Sequence, residues 1–288
     1  MSRGLIAAGG CALLSLGVAW VAGSDPWRGV PLLMALAGLA MLIQWVAFIP
    51  AYLRRTESFY DITGSLTYLV LVALALGVPA EVRPFSLRPL VSSAMVTVWA
   101  LRLGTFLLRR IERVGKDARF DQIKHDPGRF LTAWSLQGLW VVLTGLAAFI
   151  LIIEPTHPRR VDAFSLTGWA IWGIGFAIEV VADRQKSAFN ARPESKGRWI
   201  DEGLWSRSRH PNYFGEILLW TGVFISGLGV YRGGQWIAAL SPVFVAALLM
   251  RGSGVPLLEA RADAKWGEDP AYQAYKARTP TLIPRLWG

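Results

Sequence analysis

Residues 203–216 read Gly-Leu-Trp-Ser-Arg-Ser-Arg-His-Pro-Asn-Tyr-Phe-Gly-Glu and run straight into an apolar stretch. Asn212 and Glu216 are spaced i, i+4, so on a helix they share one face. Trp220 continues that face, and Ile217, Leu218, Leu219 and Val223 surround it. An ionisable group among hydrocarbon side chains is costly, so Glu216 is expected to face a cavity or a partner. Pro211 suits a first helical turn, where its missing N–H is not needed. Arg207 and Arg209 beside a helix N-terminus make a setting attractive to phosphate. The expected chemistry is anion recognition at the helix mouth and polar recognition within.

Three further groups could take part. Glu179 and Asp183 repeat the i, i+4 spacing and are followed by Arg184 and Lys186. They read either as a solvated helix end with local ion pairs or as groups facing Asn212 and Glu216 across a cavity. Arg102 lies inside an apolar segment with Phe106 on its face; it can snorkel outward or act as counter-ion to Glu216 or to a bound phosphate. Tyr60 and Asp61 open another apolar segment. A phenol beside a carboxyl can protonate or polarise a carbonyl oxygen, and Asp61 can equally well cap the helix.

Other chemistries are not expected. His125, His157 and His210 are widely separated, so no metal centre is foreseen. Cys11 is the single cysteine, which removes disulfides and thiolate clusters. No Gly-x-Gly-x-x-Gly follows a strand, so a bound nucleotide would not sit on a Rossmann unit.

The elements that position these residues are membrane spans. Of 288 residues, 53% are hydrophobic, and they fall in long blocks rather than at amphipathic spacing. We expect an all-α polytopic membrane helical bundle of about eight transmembrane helices, near 4–22, 31–53, 62–79, 89–108, 132–153, 164–182, 212–230 and 235–250. The first block ends in Val21-Ala22-Gly23-Ser24, a signal-peptide-like exit, yet it is long enough to span and is expected to be retained. No linker or repeat divides the chain, which reads as one integral membrane domain over 1–288. Tail residues 256–288 alternate Leu258, Ala262, Trp266, Tyr272 and Tyr275 with charges and are expected to pack on the membrane face or over a site there.

The net charge is +10. Lys and Arg cluster in 109–130, 183–211 and the residues after 250, all on the side of the N-terminus. By the positive-inside rule both termini and these segments are expected to be cytoplasmic. Topology accounts for the charge, and no nucleic-acid partner is expected.

From about 165 to 288 the chain resembles the steroid 5α-reductase family, more narrowly its bacterial membrane relatives. The resemblance rests on Asp183-x-Gln185-Lys186-x-x-Phe189, Gly197-Arg198-x-x-x-x-Gly203-Leu204-Trp205, Ser208-Arg209-His210-Pro211-Asn212-Tyr213-Phe214-Gly215-Glu216 and a tail from Pro256 through Tyr272 and Tyr275 to Pro284. Upstream, Arg110-x-x-x-x-Gly115-x-Asp117-x-Arg119-Phe120 looks like the bacterial group too. The resemblance implies a seven-helix reductase core preceded by an extra span. It also implies an NADPH-dependent reductase of a carbon–carbon double bond conjugated to a carbonyl in a lipophilic substrate, in a bacterial inner membrane.

Carried over position by position, Asp183, Asn212 and Glu216 correspond to residues around the nicotinamide and ribose, and Arg198 to one on the phosphates. Lys186, Arg207, Arg209, His210, Tyr213 and Arg102 are expected to complete the cofactor's surroundings. The glutamate and tyrosine with which the steroid enzymes grip the 3-keto oxygen have no motif-level match. Asp61, with Tyr60, is expected in the acid's role, and Trp99 falls in the tyrosine's region.

The stretch Arg209-His210-Pro211-x-Tyr213-x-Gly215 also resembles S-adenosylmethionine-dependent methyltransferases of the isoprenylcysteine type, which is the alternative reading. A transporter is a third class, for which no inverted repeat is evident.

Overall fold

The computed structural model describes residues 2–24, 26–80, 86–117, 119–153, 161–252 and 254–285; His157 lies outside them. The chain is helical almost throughout. Its helices are α1 (Ser2–Ala22), α2 (Leu32–Arg54), α3 (Tyr60–Ala80), α4 (Leu87–Val114), α5 (Pro127–Ile153), α6 (Ala163–Ala191), α7 (Pro211–Ile225), α8 (Leu240–Ala247), α9 (Val255–Trp266) and α10 (Pro270–Arg278). A two-residue antiparallel hairpin, β1 (Pro26–Trp27) with β2 (Val30–Pro31), is the only sheet among the described residues.

Among the described residues, seven helical segments are long and apolar enough to cross a membrane: α1 to α6, and the helical run that begins at Gly233. The chain is an integral membrane protein of the expected all-α class. The stretch expected to span over 212–230 forms the 15-residue α7. It ends because Ser226 turns its hydroxyl back to Val223 O, 2.7 Å, and Gly227 opens a tight turn closed by Val230 N–H. The run after Gly233 is irregular as well, with a 3₁₀ segment over Gly233–Ala239, then α8, then a π turn over Leu248–Gly252.

The chain sorts into two compact units, Met1–Ser165 with Gly227–Ser241, and Leu166–Ser226 with Pro242–Gly288. In the first unit α5 is the hub: 89% of its apolar window is buried, whereas no other span exceeds 44%. Helices α1, α2, α3 and α4 all pack on it. Close approach is made possible by Gly138, whose missing side chain leaves room for Met41 and Gln44, and by Gly4 against the Gly128 backbone. Polar ties then fix register: Gln44 Nε2 donates to Thr67 Oγ1 (2.8 Å), Trp45 Nε1 to Ser135 Oγ (2.9 Å) and Gln137 Nε2 to Tyr60 O (2.9 Å). Interhelical hydrogen bonds of this kind contribute about 0.6 kcal/mol each in a bilayer, so they specify geometry more than they stabilise.

In the second unit α6 and α7 cross backbone to backbone. Gly168 and Gly175 on α6 meet Gly222 and Gly215 on α7, each pair seven residues apart on its helix. A Cβ on Gly215 would lie 2.6 Å from Glu179 N and Gly175 O, and one on Gly222 would lie 2.6 Å from Gly168 O and Trp172 N. Small residues at such a crossing let dispersion act between main chains, which is the main attraction available in lipid.

Candidate functional site

The glycine crossing sets the register of the motif residues. With Gly175 and Glu179 of α6 against Gly215 of α7, the next turn brings Asp183 opposite Asn212, and Asn212 Nδ2 donates to Asp183 Oδ1 at 3.2 Å. Glu179 is 3% exposed and Asp183 9% exposed, so this is a buried polar seam between two apolar helices. Glu216 lies half-buried on α7, one turn beyond Asn212.

Beyond the end of α6 the chain folds back on it. Gln185 accepts from Leu204 N–H at 2.9 Å, and Trp205 Nε1 donates to Ala182 O at 2.9 Å. Gly203 adopts φ +60°, and a Cβ there would strike the Gln185 side chain, so the turn needs glycine twice over. The C-terminal tail then closes the structure in a strand-like pairing: Arg209 N–H donates to Pro280 O, Arg285 N–H to Arg207 O, and Ser208 Oγ to Leu282 O.

These elements enclose a cavity of about 290 Å³ in the second unit. Lys186, Arg198, Arg209, Arg261 and Lys265 supply positive charge to its wall, and Glu259 is the carboxylate there. Its aromatic side is a mutually packed group. Trp199 meets Tyr272 edge-on with centroids 5.2 Å apart, Trp266 lies 6.1 Å from Trp199, and Tyr275 OH donates to Trp205 O. Trp199 Nε1 is buried with no hydrogen-bond partner among the described residues.

The charges on the wall differ in availability. All five N–H donors of Arg209 are used: Nε and Nη2 bind the Glu259 carboxylate at 3.1 Å each, Nη1 donates to Lys276 O and Thr279 O, and Nη2 also donates to Thr281 Oγ1. His210 Nε2 lies 2.8 Å from Glu259 Oε1, with Tyr213 stacked on its ring, and Lys276 lies 3.3 Å from Oε2. Arg209 and His210 thus clasp α9 and the tail. Lys186 lies over the Trp205 ring at 4.5 Å, and Lys265 over Trp266 at 4.4 Å. Arg198, Arg261 and Lys265 form no ion pair among the described residues.

Of the residues singled out in the sequence, Lys186, Arg198, Arg209 and His210 line this cavity; Asp183, Asn212, Glu216, Tyr213 and Arg207 do not. Arg207 is exposed and contributes its carbonyl to the tail pairing. The sequence pattern gave no separate weight to Glu259, Arg261 and Lys265. Their signal is the spacing Glu259, Asp263 on α9 against Tyr272, Lys276 on α10: Lys276 Nζ reaches Asp263 at 2.6 Å and Tyr272 OH donates to it at 3.2 Å.

The first unit holds Tyr60, Asp61 and Arg102. Tyr60 OH donates to Ala133 O at 2.8 Å, and its ring packs on Phe120 and Trp134. Asp61 lies 3.6 Å from Arg119 Nη2, and the same guanidinium grips Asp117 at 2.5 Å. Buried Glu57 accepts from Asp117 N–H (3.1 Å) and from Lys124 Nζ (2.9 Å), locking the loop after α2 to the loop before α5. Burial pushes the Asp117 carboxyl up, but hydrogen bonds from the Arg119 side chain and backbone outweigh it and hold the group below its ordinary value. Arg102 is half-buried, with its guanidinium 5.4 Å from the Phe106 ring. Trp99 is sealed, 0% exposed, edge-on to Tyr68. No group of three or more His, Cys, Asp or Glu side chains suited to a metal occurs among the described residues.

Over 126 residues the chain is 27% identical to the Probable O-methyltransferase ustE of Ustilaginoidea virens, a match covering 44% of this chain and 40% of that protein. The chain therefore spans well under half of that relative's length. No solved structure matches. A family model described as Protein of unknown function (DUF1295) matches residues 47–279, most of the sequence, and the chain belongs to that family.

Proposed function

We propose that the chain is a membrane reductase that binds NADPH in its second unit and reduces a carbon–carbon double bond conjugated to a carbonyl in a lipophilic substrate. The observation that carries this reading is the cavity's lining: a cationic wall facing a cluster of Trp and Tyr rings. That combination suits a phosphorylated nucleotide, whose base can stack on the rings while its phosphates meet Arg and Lys. About 290 Å³ is near the lower end for small-molecule pockets and suits one nucleotide half of a dinucleotide.

Arg198, Arg261, Lys265 and Lys186 would hold the phosphates. The orphaned Trp199 indole N–H is a donor that a ligand acceptor could satisfy. The Asp183–Asn212 seam and Glu216 keep the role that the family resemblance implies for them, the nicotinamide and ribose end. NADPH, when bound, supplies the hydride. In the first unit Tyr60 donates its hydroxyl proton to Ala133 O and Asp61 is paired with Arg119, so we assign neither to the substrate carbonyl. The family resemblance implies a bacterial inner membrane, and from the distribution of Lys and Arg we extend the reading to cytoplasmic termini.

A second reading is favoured by one observation, the similarity to an O-methyltransferase: a methyl transferase using S-adenosylmethionine. That donor carries no phosphate and gives a cationic wall little to bind, which is why we rank it second. Thermal unfolding of the purified chain with NADPH, NADH and S-adenosylmethionine separates them. Saturation at a hundredfold excess over Kd stabilises by about 2.7 kcal/mol. The reductase reading expects that shift with NADPH, and its loss in Arg261→Ala/Lys265→Ala. A shift with S-adenosylmethionine and none with NADPH would replace it with the methyltransferase.

A further inference from the structure

At the end of the first unit where α1 starts and α2 finishes, four arginines gather, and the acid beside them is Asp126, on which Arg129 acts electrostatically. Gly4 packs on the Gly128 backbone, which brings Arg3 beside Arg129 at the start of α5. Ala51 of α2 packs with Phe130, and Phe48 meets the Phe130 ring at 5.8 Å, which brings Arg54 and Arg55 to the same place. Arg55 ends α2 in the left-handed region, φ +51°, a conformation seldom given to a residue with a side chain. There its Nη1 donates to His125 Nδ1 at 2.9 Å, just ahead of α5. All four arginines are exposed, and none forms an ion pair among the described residues.

The acids of the adjoining loops are already engaged. Glu57 is held by Lys124, Asp117 by Arg119 and Asp121 by Lys116, while Asp126 accepts from Arg129 N–H. Asp126 sets one negative charge against the four arginines, so the positive charge is still a surplus, and it sits at the edge of an apolar wall. Leu5 (56% exposed) and Ile6 (73%) lie in the first turns of α1, and Ile49 (55%) and Leu53 (76%) in the last turns of α2.

We propose that this end of α1, α2 and α5 binds an anionic glycerophospholipid. Its phosphate is held among Arg3, Arg54, Arg55 and Arg129, and its acyl chains run along the exposed residues of α1 and α2. Charge complementarity selects the headgroup. The apolar wall directly below selects a lipid over a free anion, because a soluble phosphate gains nothing from it. The inference stands apart from the nucleotide reading, since every residue in it belongs to the first unit.

Native mass spectrometry of the full chain in detergent, titrated with dioleoylphosphatidylglycerol or dioleoylphosphatidylcholine, tests it. The wild type is expected to bind the anionic lipid at least tenfold more tightly. Each arginine near an anionic headgroup is worth about fivefold in affinity, so Arg54→Gln/Arg129→Gln should bind it about 25-fold more weakly at an unchanged unfolding temperature. The charge-retaining Arg54→Lys/Arg129→Lys variant should keep most of the affinity. Equal binding of the two lipids, or undiminished binding by the Gln pair, overturns the proposal. So does a Lys pair as weak as the Gln pair, which would mark a packing effect, or displacement of the lipid by millimolar inorganic phosphate.

Discussion

Replacing Gly215 by alanine tests whether the α6/α7 crossing sets the site. The new Cβ would stand 2.6 Å from both Glu179 N and Gly175 O, and 3.0 Å from Glu179 Cβ, where ordinary contact begins at 3.4 Å. The shortfall of roughly 0.8 Å lies against main chain on the facing helix, so no side chain can turn away to relieve it. The helices must part, and overpacking of this kind costs about 1–3 kcal/mol. For a chain of this size that is a fall in Tm on the order of 5 °C. The same movement would stretch the Asn212–Asp183 hydrogen bond, 3.2 Å long and one turn away, past useful range. The control is Gly173→Ala on α6, which has nothing within 4 Å of its would-be Cβ and should be neutral, or stabilising by up to ~1 kcal/mol through helix propensity. Thermal unfolding of both variants in one detergent, followed by intrinsic tryptophan fluorescence, decides the matter. Equal Tm values for the two variants would refute the claim that backbone contact at Gly215 fixes the seam.

Other outcomes follow from the same geometry. Glu259→Gln removes the charge shared by Arg209, His210 and Lys276; with these side chains only partly exposed, the loss should be about 2–3 kcal/mol, read as a fall in Tm and faster proteolysis of the tail. Arg261→Ala and Lys265→Ala should each weaken NADPH binding while leaving Tm unchanged, and the NADPH affinity of the wild type should fall as salt is raised, all measured by calorimetric titration. The folded value of Asp117 is depressed, so its contribution is present above the ordinary aspartate value of 3.8 and is lost as pH falls below it. Asp117→Asn should therefore have a lower Tm than wild type at neutral pH, and the gap should close on acidification.

How much of this was legible in the sequence depends on how local the cause is. Spans α1 to α6 follow from apolar blocks of bilayer length, a property of each segment alone. Shortening of the seventh helix turns on Ser226, Gly227 and Gly229 closing a turn, a composition that helices in lipid also tolerate, so hydropathy did not mark it. The seam was half readable. Spacing i, i+4 puts Asn212 with Glu216 and Glu179 with Asp183 and leaves Asp183 either at a solvated helix end or facing Asn212; the register of four glycines selects the second. Arg209 reads as an anion binder because it stands with Arg207 beside a helix N-terminus. Its donors are instead taken by carbonyls some 70 residues later and by Glu259, partners that sequence spacing cannot reveal. The same holds for Asp61, whose neighbour Arg119 comes from a distant loop.

The strand-like pairing of residues 207–209 with 280–285 has a consequence for biosynthesis. Synthesis adds about 5–20 residues each second. Arg209 and Ser208 therefore wait several seconds, with their donors facing water or lipid headgroups, before the carbonyls of Thr279, Pro280 and Leu282 emerge from the ribosome to receive them. The cavity beside Arg209 can be closed only once residues 279–282 have been made, after the long apolar spans before them have been handed to the insertion machinery.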